Sequence, residues 1–127
     1  MQESIEDPLK TAIAKLEAGL VQSKADPENK IVRDGVILPF AYTIDIAVLS
    51  IRVLLRYFAP KKVRANAARH SLFLEAGREG LLSSVENWLD YNVARAEILN
   101  AYDEKIAQAV FSQAERFLHD VKLFTKT

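Results

Sequence analysis

The chain has 127 residues, no cysteine, and 17 basic side chains against 17 acidic ones. That length makes one domain, residues 1–127, with a sizeable core. The missing cysteines exclude a disulfide framework, a thiolate metal site and a cysteine nucleophile. Zero net charge argues against a strong sequence-independent nucleic-acid binder.

The opening residues Met1 to Asp7 are acidic and lack an apolar core, so they are not read as a signal peptide. Asp7-Pro8 reads as a capping acid followed by proline at the first helical position. A first helix is expected from Pro8 to about Ser23, with Leu9, Ile13, Leu16 and Leu20 on one apolar face. Asp26-Pro27 repeats the same start signal, and a second helix is expected from Pro27 to about Phe58. Pro39 removes a backbone donor inside it and predicts a kink between Gly35 and Phe40. The run Ile44 to Leu55 is apolar nearly all round, which predicts the central and most buried helix. Asp45 and Arg52 interrupt that run, and a bilayer span needs about 20 residues. The chain is therefore expected in the cytoplasm, without membrane association.

Ala59-Pro60 breaks the pattern. A shorter helix is expected from about Arg64 to Arg78, closed by Gly80. Ser83-Ser84-Val85-Glu86 reads as a capping box opening the fourth helix, with Val85, Trp88, Leu89, Asn92, Ala96 and Leu99 turned inward. Asp103 is expected to cap the last helix, whose inner face is Ile106, Val110, Gln113, Phe117, Val121 and Phe124. About five helices with short connections predict an all-α fold, an antiparallel up-down bundle on a four-helix core.

Charge is unevenly placed along the chain. Between Arg52 and Arg78 the only acid is Glu75, and between Glu79 and Glu104 the only base is Arg95. Such blocks are complementary surfaces or, more simply, solvated helix faces that partly neutralise each other. Most catalytic constellations are missing. His70 and His119 stand on different helices, so a multi-histidine metal site is not expected. The glycines form no phosphate loop, and the caps account for Ser83 and Ser84. No cofactor and no metal are expected.

One stretch carries more information: Tyr91-Asn92-Val93-Ala94-Arg95-Ala96-Glu97-Ile98-Leu99-Asn100-Ala101-Tyr102-Asp103-Glu104. An arginine, four residues, Asn100, one residue and a tyrosine resemble the signature of the HEPN superfamily, in its branch of nucleotidyltransferase substrate-binding proteins. There the Asn100 position usually holds histidine. The resemblance runs from about Ile31 to Val121. It includes Arg33-Asp34-Gly35-Val36-Ile37, Phe40-Ala41-Tyr42-Thr43-Ile44-Asp45, Glu75-Ala76-Gly77-Arg78-Glu79-Gly80 and Val85-Glu86-Asn87-Trp88-Leu89-Asp90. It implies pairing with a separate minimal nucleotidyltransferase. Some such pairs are toxin–antitoxin systems, in which the helical chain is a ribonuclease and the motif tyrosine can accept an adenylate. It also implies a homodimer, since family sites often straddle a two-fold interface.

On these residues Arg95 is a candidate for gripping a phosphate, or the partner of a local acid such as Asp90 or Glu97. Asp45 and Asp34, both on the long second helix, can supply a carboxylate facing Arg95 or form structural ion pairs. Asn100 hydrogen-bonds but carries no proton between pH 5 and 8. General acid–base catalysis typically contributes about 10²–10⁴-fold, so the departure weighs against catalysis. Tyr102, just ahead of the Asp103 cap, is a packing residue or an adenylation target. Three readings follow. The first is a non-catalytic or weakly catalytic subunit that binds a minimal nucleotidyltransferase or its substrate, a nucleotide or RNA, through Arg95, Asn100, Tyr102 and Asp45. The second is a metal-independent endoribonuclease using Arg95 and Asn100. The third is a structural bundle with a fossil site.

Overall fold

The computed structural model describes residues 7–126, so the acidic start at 1–6 lies outside the described residues. The elements in order are α1 (Pro8–Ala25), α2 (Lys30–Asp34), α3 (Ile37–Phe58), α4 (Arg69–Arg78), α5 (Val85–Ala96), a 3-10 turn (Ile98–Asn100) and α6 (Glu104–Phe124). Helices α1, α3, α5 and α6 form the expected four-helix core, each touching the next. Helix α4 packs on α3 and α5, and short α2 lies against α1, α3 and α6. Fully buried Leu16, Phe40, Ile44, Ile51, Leu55, Trp88, Phe117 and Val121 fill the centre.

Local signals set most helix ends. The Asp7 carboxylate accepts from the Leu9 N–H, and Asp103 accepts from those of Lys105 and Ile106. Each removes an orphan donor at a helix start. Helix α4 closes as expected on Gly80, which among the described residues is the one with positive φ, at 79°. The Leu81 N–H reaches the Ala76 carbonyl and the Gly80 N–H reaches that of Gly77, the paired bonds of a Schellman ending.

Four boundaries differ from expectation. Asp26-Pro27 does not start a helix. Asp26 ends α1, its carbonyl accepts from the Asn29 N–H in a turn, and Asn29 caps α2 through Ile31 and Val32. Proline after an acid suits the second turn position as well as a first helical one. The kink expected near Pro39 falls at Gly35 and Val36, which keep right-handed helical backbone but interrupt the helix between α2 and α3. The proline ring clashes with a helical carbonyl four residues back, at Gly35. The chain restarts at Ile37, and Pro39 then falls in the first turn, where no N–H is needed. Helix α4 begins at Arg69 rather than Arg64 because the preceding loop is held by side chains. Arg52 donates to the Ala65 and Ala67 carbonyls, and Arg56 to those of Pro60 and Val63. The α5 cap is Ser84, accepting from the Asn87 N–H, not a Ser83–Glu86 box.

The inward faces also shift. In α5 the buried residues are Trp88, Tyr91 and Ala94, while Ala96 and Leu99 are exposed because the helix ends at Ala96. In α6, Ala107, Ala114 and Asp120 join Val110, Phe117, Val121 and Phe124. Asp120 is a polar node in the core: it accepts from the Tyr91 hydroxyl at 2.5 Å and the Asn87 amide at 3.0 Å. Burial, reinforced by that hydrogen bond, pushes the Tyr91 phenol far above its usual value. Helix α3 is buried on one side only. Leu38, Tyr42, Leu49, Val53 and Tyr57 are each more than half exposed. The bilayer reading changes as well. Lys30–Phe58 is long and apolar enough by composition to cross a membrane, and 44% of its most apolar window is buried in the bundle.

A close approach links α4 to the start of α5. A Cβ on Gly77 would stand 2.2 Å from Val85 Cγ2. Gly77→Ala is expected to destabilise the fold by about 1–3 kcal/mol through overpacking. Thermal unfolding of the single variant and of Gly77→Ala with Val85→Ala checks this, because the second change removes the obstructing methyl.

Candidate functional site

Asp45 leaves the middle of α3 between the buried face and the exposed apolar one, about one-third exposed. Helix α5 brings Arg95 to it across 50 residues of sequence. Arg95 Nε lies 3.1 and 3.3 Å from the two carboxylate oxygens, and Nη2 lies 3.0 Å from Oδ2. This two-pronged contact fixes the guanidinium plane. The first residue of α4 adds a second cation, with Arg69 Nη2 3.0 Å from Asp45 Oδ1. Three helices therefore meet at one carboxylate, and each side chain keeps roughly a third of its surface in solvent.

Two guanidinium groups around one carboxylate leave a net positive charge. Burial would raise the Asp45 carboxyl, but the hydrogen bonds from Arg95 and Arg69 outweigh it and hold the group below its ordinary value. The bond to Asp45 holds the Arg95 guanidinium above its ordinary value, against the opposing effect of burial. Such a cluster suits recognition of an anion, because unused N–H donors remain on both arginines. Its members are two guanidinium groups and one carboxylate, without a histidine, a set suited to holding an anion rather than to moving protons.

The structure joins Arg95 to Asp45 and leaves Asn100 and Tyr102 apart from them. Asn100 ends the exposed 3-10 turn, and its amide contacts Glu97 at 3.4 Å. Tyr102 is 89% exposed, and among the described residues its hydroxyl has no hydrogen bond and its ring no stacking partner. The acids read as local partners of Arg95 are engaged elsewhere, Asp90 with Arg116 and Glu97 with Asn100. Asp34 holds Arg33, which also binds Glu104 and is almost wholly buried. Arg69 was not singled out from sequence. Only the packing of α4 brings it to Asp45, and no local pattern announces that.

The basic block from Arg52 to Arg78 is largely spent inside the fold. Arg52 and Arg56 hold loop carbonyls, Lys62 meets Glu79, Arg69 meets Asp45 and Arg78 meets Glu75. A cleft of about 490 Å³ between the end of α1, α2 and α6 excludes this cluster. Lys24, Lys30 and Arg33 balance Glu28, Glu104 and Glu115 along its walls, so it offers a ligand no net charge.

Comparison with known proteins places the chain. HI0074 from Haemophilus influenzae, a structure described as revealing the fold of a substrate-binding domain of a nucleotidyltransferase, superposes with a TM-score of 0.83. It is 23% identical, and the match covers 93% of this chain and 94% of that one. At that identity the likeness speaks for the fold. No curated protein sequence matches the chain. The profile of the family described as "Nucleotidyltransferase substrate binding protein like" matches residues 6–127. The chain belongs to the family of nucleotidyltransferase substrate-binding-like proteins.

Proposed function

We propose that this chain is a HEPN-like, non-catalytic subunit that works as a homodimer and docks a minimal nucleotidyltransferase. It presents Arg95 and, apart from it on the segment before α6, Asn100 and Tyr102 to that enzyme. Tyr102 is the acceptor of an adenylate, as in a toxin–antitoxin-like pair. The observation that carries this reading is the exposure of Tyr102. Its phenol stands in solvent at the mouth of α6, without a hydrogen bond among the described residues. A packing tyrosine has its ring covered, as Tyr91 does. In the transfer, the Tyr102 oxygen bonds to the α-phosphorus of ATP and pyrophosphate leaves. The phenolic proton passes to a base of the partner enzyme. Arg95, clamped by Asp45, supplies a fixed cation for the phosphates or for an acidic face of the enzyme.

The test is incubation with the minimal nucleotidyltransferase partner and ATP, read by intact mass and peptide mapping. One added adenylate on Tyr102 is expected, lost in Tyr102→Phe, and Arg95→Ala is expected to weaken the complex on sizing. Absence of both modification and complex overturns the reading. The endoribonuclease alternative predicts that Asn100→His creates RNA cleavage that Arg95→Ala removes. Asn100 contacts Glu97 and not Arg95, so Asn100→His is expected to leave RNA uncut.

A further inference from the structure

Away from the arginine cluster, the cleft between the end of α1, α2 and α6 has the parts of a small-molecule site. Its volume is about 490 Å³, within the range of about 300–1,000 Å³ in which such ligands bind. Phe111 of α6 forms part of its wall. The ring is half-buried, packs on the core and has no aromatic partner among the described residues. Leu20 of α1, almost wholly buried, adds apolar surface.

Ser23 is the telling residue. It is only 4% exposed, yet its hydroxyl has no hydrogen bond among the described residues. Helical hydroxyls commonly bond the carbonyl one turn back. Thr43 and Ser50 do so, with Pro39 and Ile46, and Ser23 does not. Among the described residues Glu75 Oε2 is the one sealed side-chain polar atom without a partner. The Ser23 hydroxyl is therefore not sealed, and it opens into the cleft that Ser23 lines. Gln108, three residues before Phe111 on the same side of α6, also lines the cleft, and its amide has no hydrogen bond among the described residues.

The charges, by contrast, are spent. Lys24 reaches Glu115 at 2.5 Å, and Arg33 holds Glu104 through two bonds of 2.6 and 3.1 Å. Lys30 stands 3.7 Å from Glu104. Glu28 is the one charge on the wall without an ion pair among the described residues.

We propose that this cleft binds an uncharged nucleoside. The base lies against Phe111 and Leu20, its edge bonds to Ser23 and Gln108, and the ribose hydroxyls donate to Glu28. Each part of the ligand answers a part of the wall. An aromatic side chain takes a flat heterocycle by stacking, whichever the base. A hydroxyl and a carboxamide both donate and accept, as the edges of bases do. A carboxylate accepts from ribose hydroxyls, as acidic residues do in dinucleotide sites. The same carboxylate repels a phosphate, and the cations that could offset it are already neutralised. This separates the cleft from the Arg95 and Arg69 pair, where the charge is positive. The proposal goes beyond the nucleotidyltransferase reading and does not rest on it.

The test uses the chain alone, labelled with ¹⁵N, so its failure leaves the nucleotidyltransferase reading standing. Saturable amide shifts on addition of adenosine are expected at Ser23, Gln108 and Phe111, and none at Arg95. Phe111→Leu keeps an apolar contact with the core and removes the ring, and is expected to weaken binding at least about fivefold. Gln108 is exposed, so Gln108→Ala spares the fold, and it is expected to weaken binding about fivefold. Ser23→Ala is expected to do the same with Tm unchanged or raised, because the fold itself makes no use of the hydroxyl. AMP is expected to bind about tenfold more weakly than adenosine, and Glu28→Gln to close that gap. No shift from adenosine or uridine at millimolar concentration overturns the proposal. So does AMP binding as tightly as adenosine, or adenosine binding that Ser23→Ala and Gln108→Ala both leave unchanged.

Discussion

Trp88→Ala is expected to lower the free energy of unfolding by about 3–5 kcal/mol, the usual cost of deleting a large buried aromatic. Domains of this size hold only about 5–15 kcal/mol in total, so the variant sits near the edge of folding. The size of the effect follows from position. Trp88 is fully buried, with ring centroids 5.5 Å from Phe117, 5.9 Å from Tyr91 and 6.0 Å from Phe73 and Phe124. It therefore ties α5 to α4 and to two turns of α6. Trp88→Phe keeps a ring in the space and is expected to cost less than half as much. Urea titration followed by far-UV circular dichroism is the measurement, because the chain has a single tryptophan and the substitution removes the fluorescent probe. A loss below about 1 kcal/mol would show that the aromatic cluster does not hold these helices together. The result also sorts the conspicuous residues of α5. Trp88 and Tyr91 face inward and maintain the fold, while Arg95, one turn beyond Tyr91, faces Asp45 and solvent.

That sorting marks how far the sequence could be read. Asp7, Asp103 and Gly80 were legible because a cap acts on residues within one turn of itself. Asp26-Pro27 misled because the same two residues satisfy a turn as well as a helix start, and Asn29 competes for the cap. Helix α3 was legible as a helix but not in its burial. A segment apolar on every side has no sequence contrast between the face that meets the core and the face left in water. Only the packing of α1, α4, α5 and α6 around it separates Ile44 and Ile51, fully buried, from Leu49 and Val53, exposed. The cluster at Asp45 was half legible. The resemblance named Asp45 and Arg95, but Arg69 arrives from a helix whose start was misplaced by five residues. That start is set by Arg52 and Arg56 holding loop carbonyls, a tertiary cause with no local trace.

Asp45→Ala is expected to weaken the complex with the nucleotidyltransferase about tenfold while leaving Arg95 in place. A free arginine side chain carries about 2 kcal/mol of rotamer entropy, which binding would have to remove once Asp45 no longer removes it in advance. The substitution also leaves two guanidinium groups facing each other without their shared anion. Titration calorimetry with the partner enzyme checks the affinity. A variant that binds as well as the native chain would show that Arg95 acts without its clamp, or not at all. Stability gives an independent readout through pH. The folded state holds the Asp45 carboxyl below its ordinary value. The unfolded value is about 3.9, so the contribution of the ionised group is complete above about pH 5 and is lost as pH falls through the folded value. The difference in stability between the native chain and Asp45→Asn is therefore expected to be constant from about pH 5 to 8 and to narrow as pH falls through the folded value. Because the group is a third exposed, that difference should also shrink with added salt. A gap that persisted at acid pH would assign the role of Asp45 to packing in α3 and remove the electrostatic clamp from the account of Arg95.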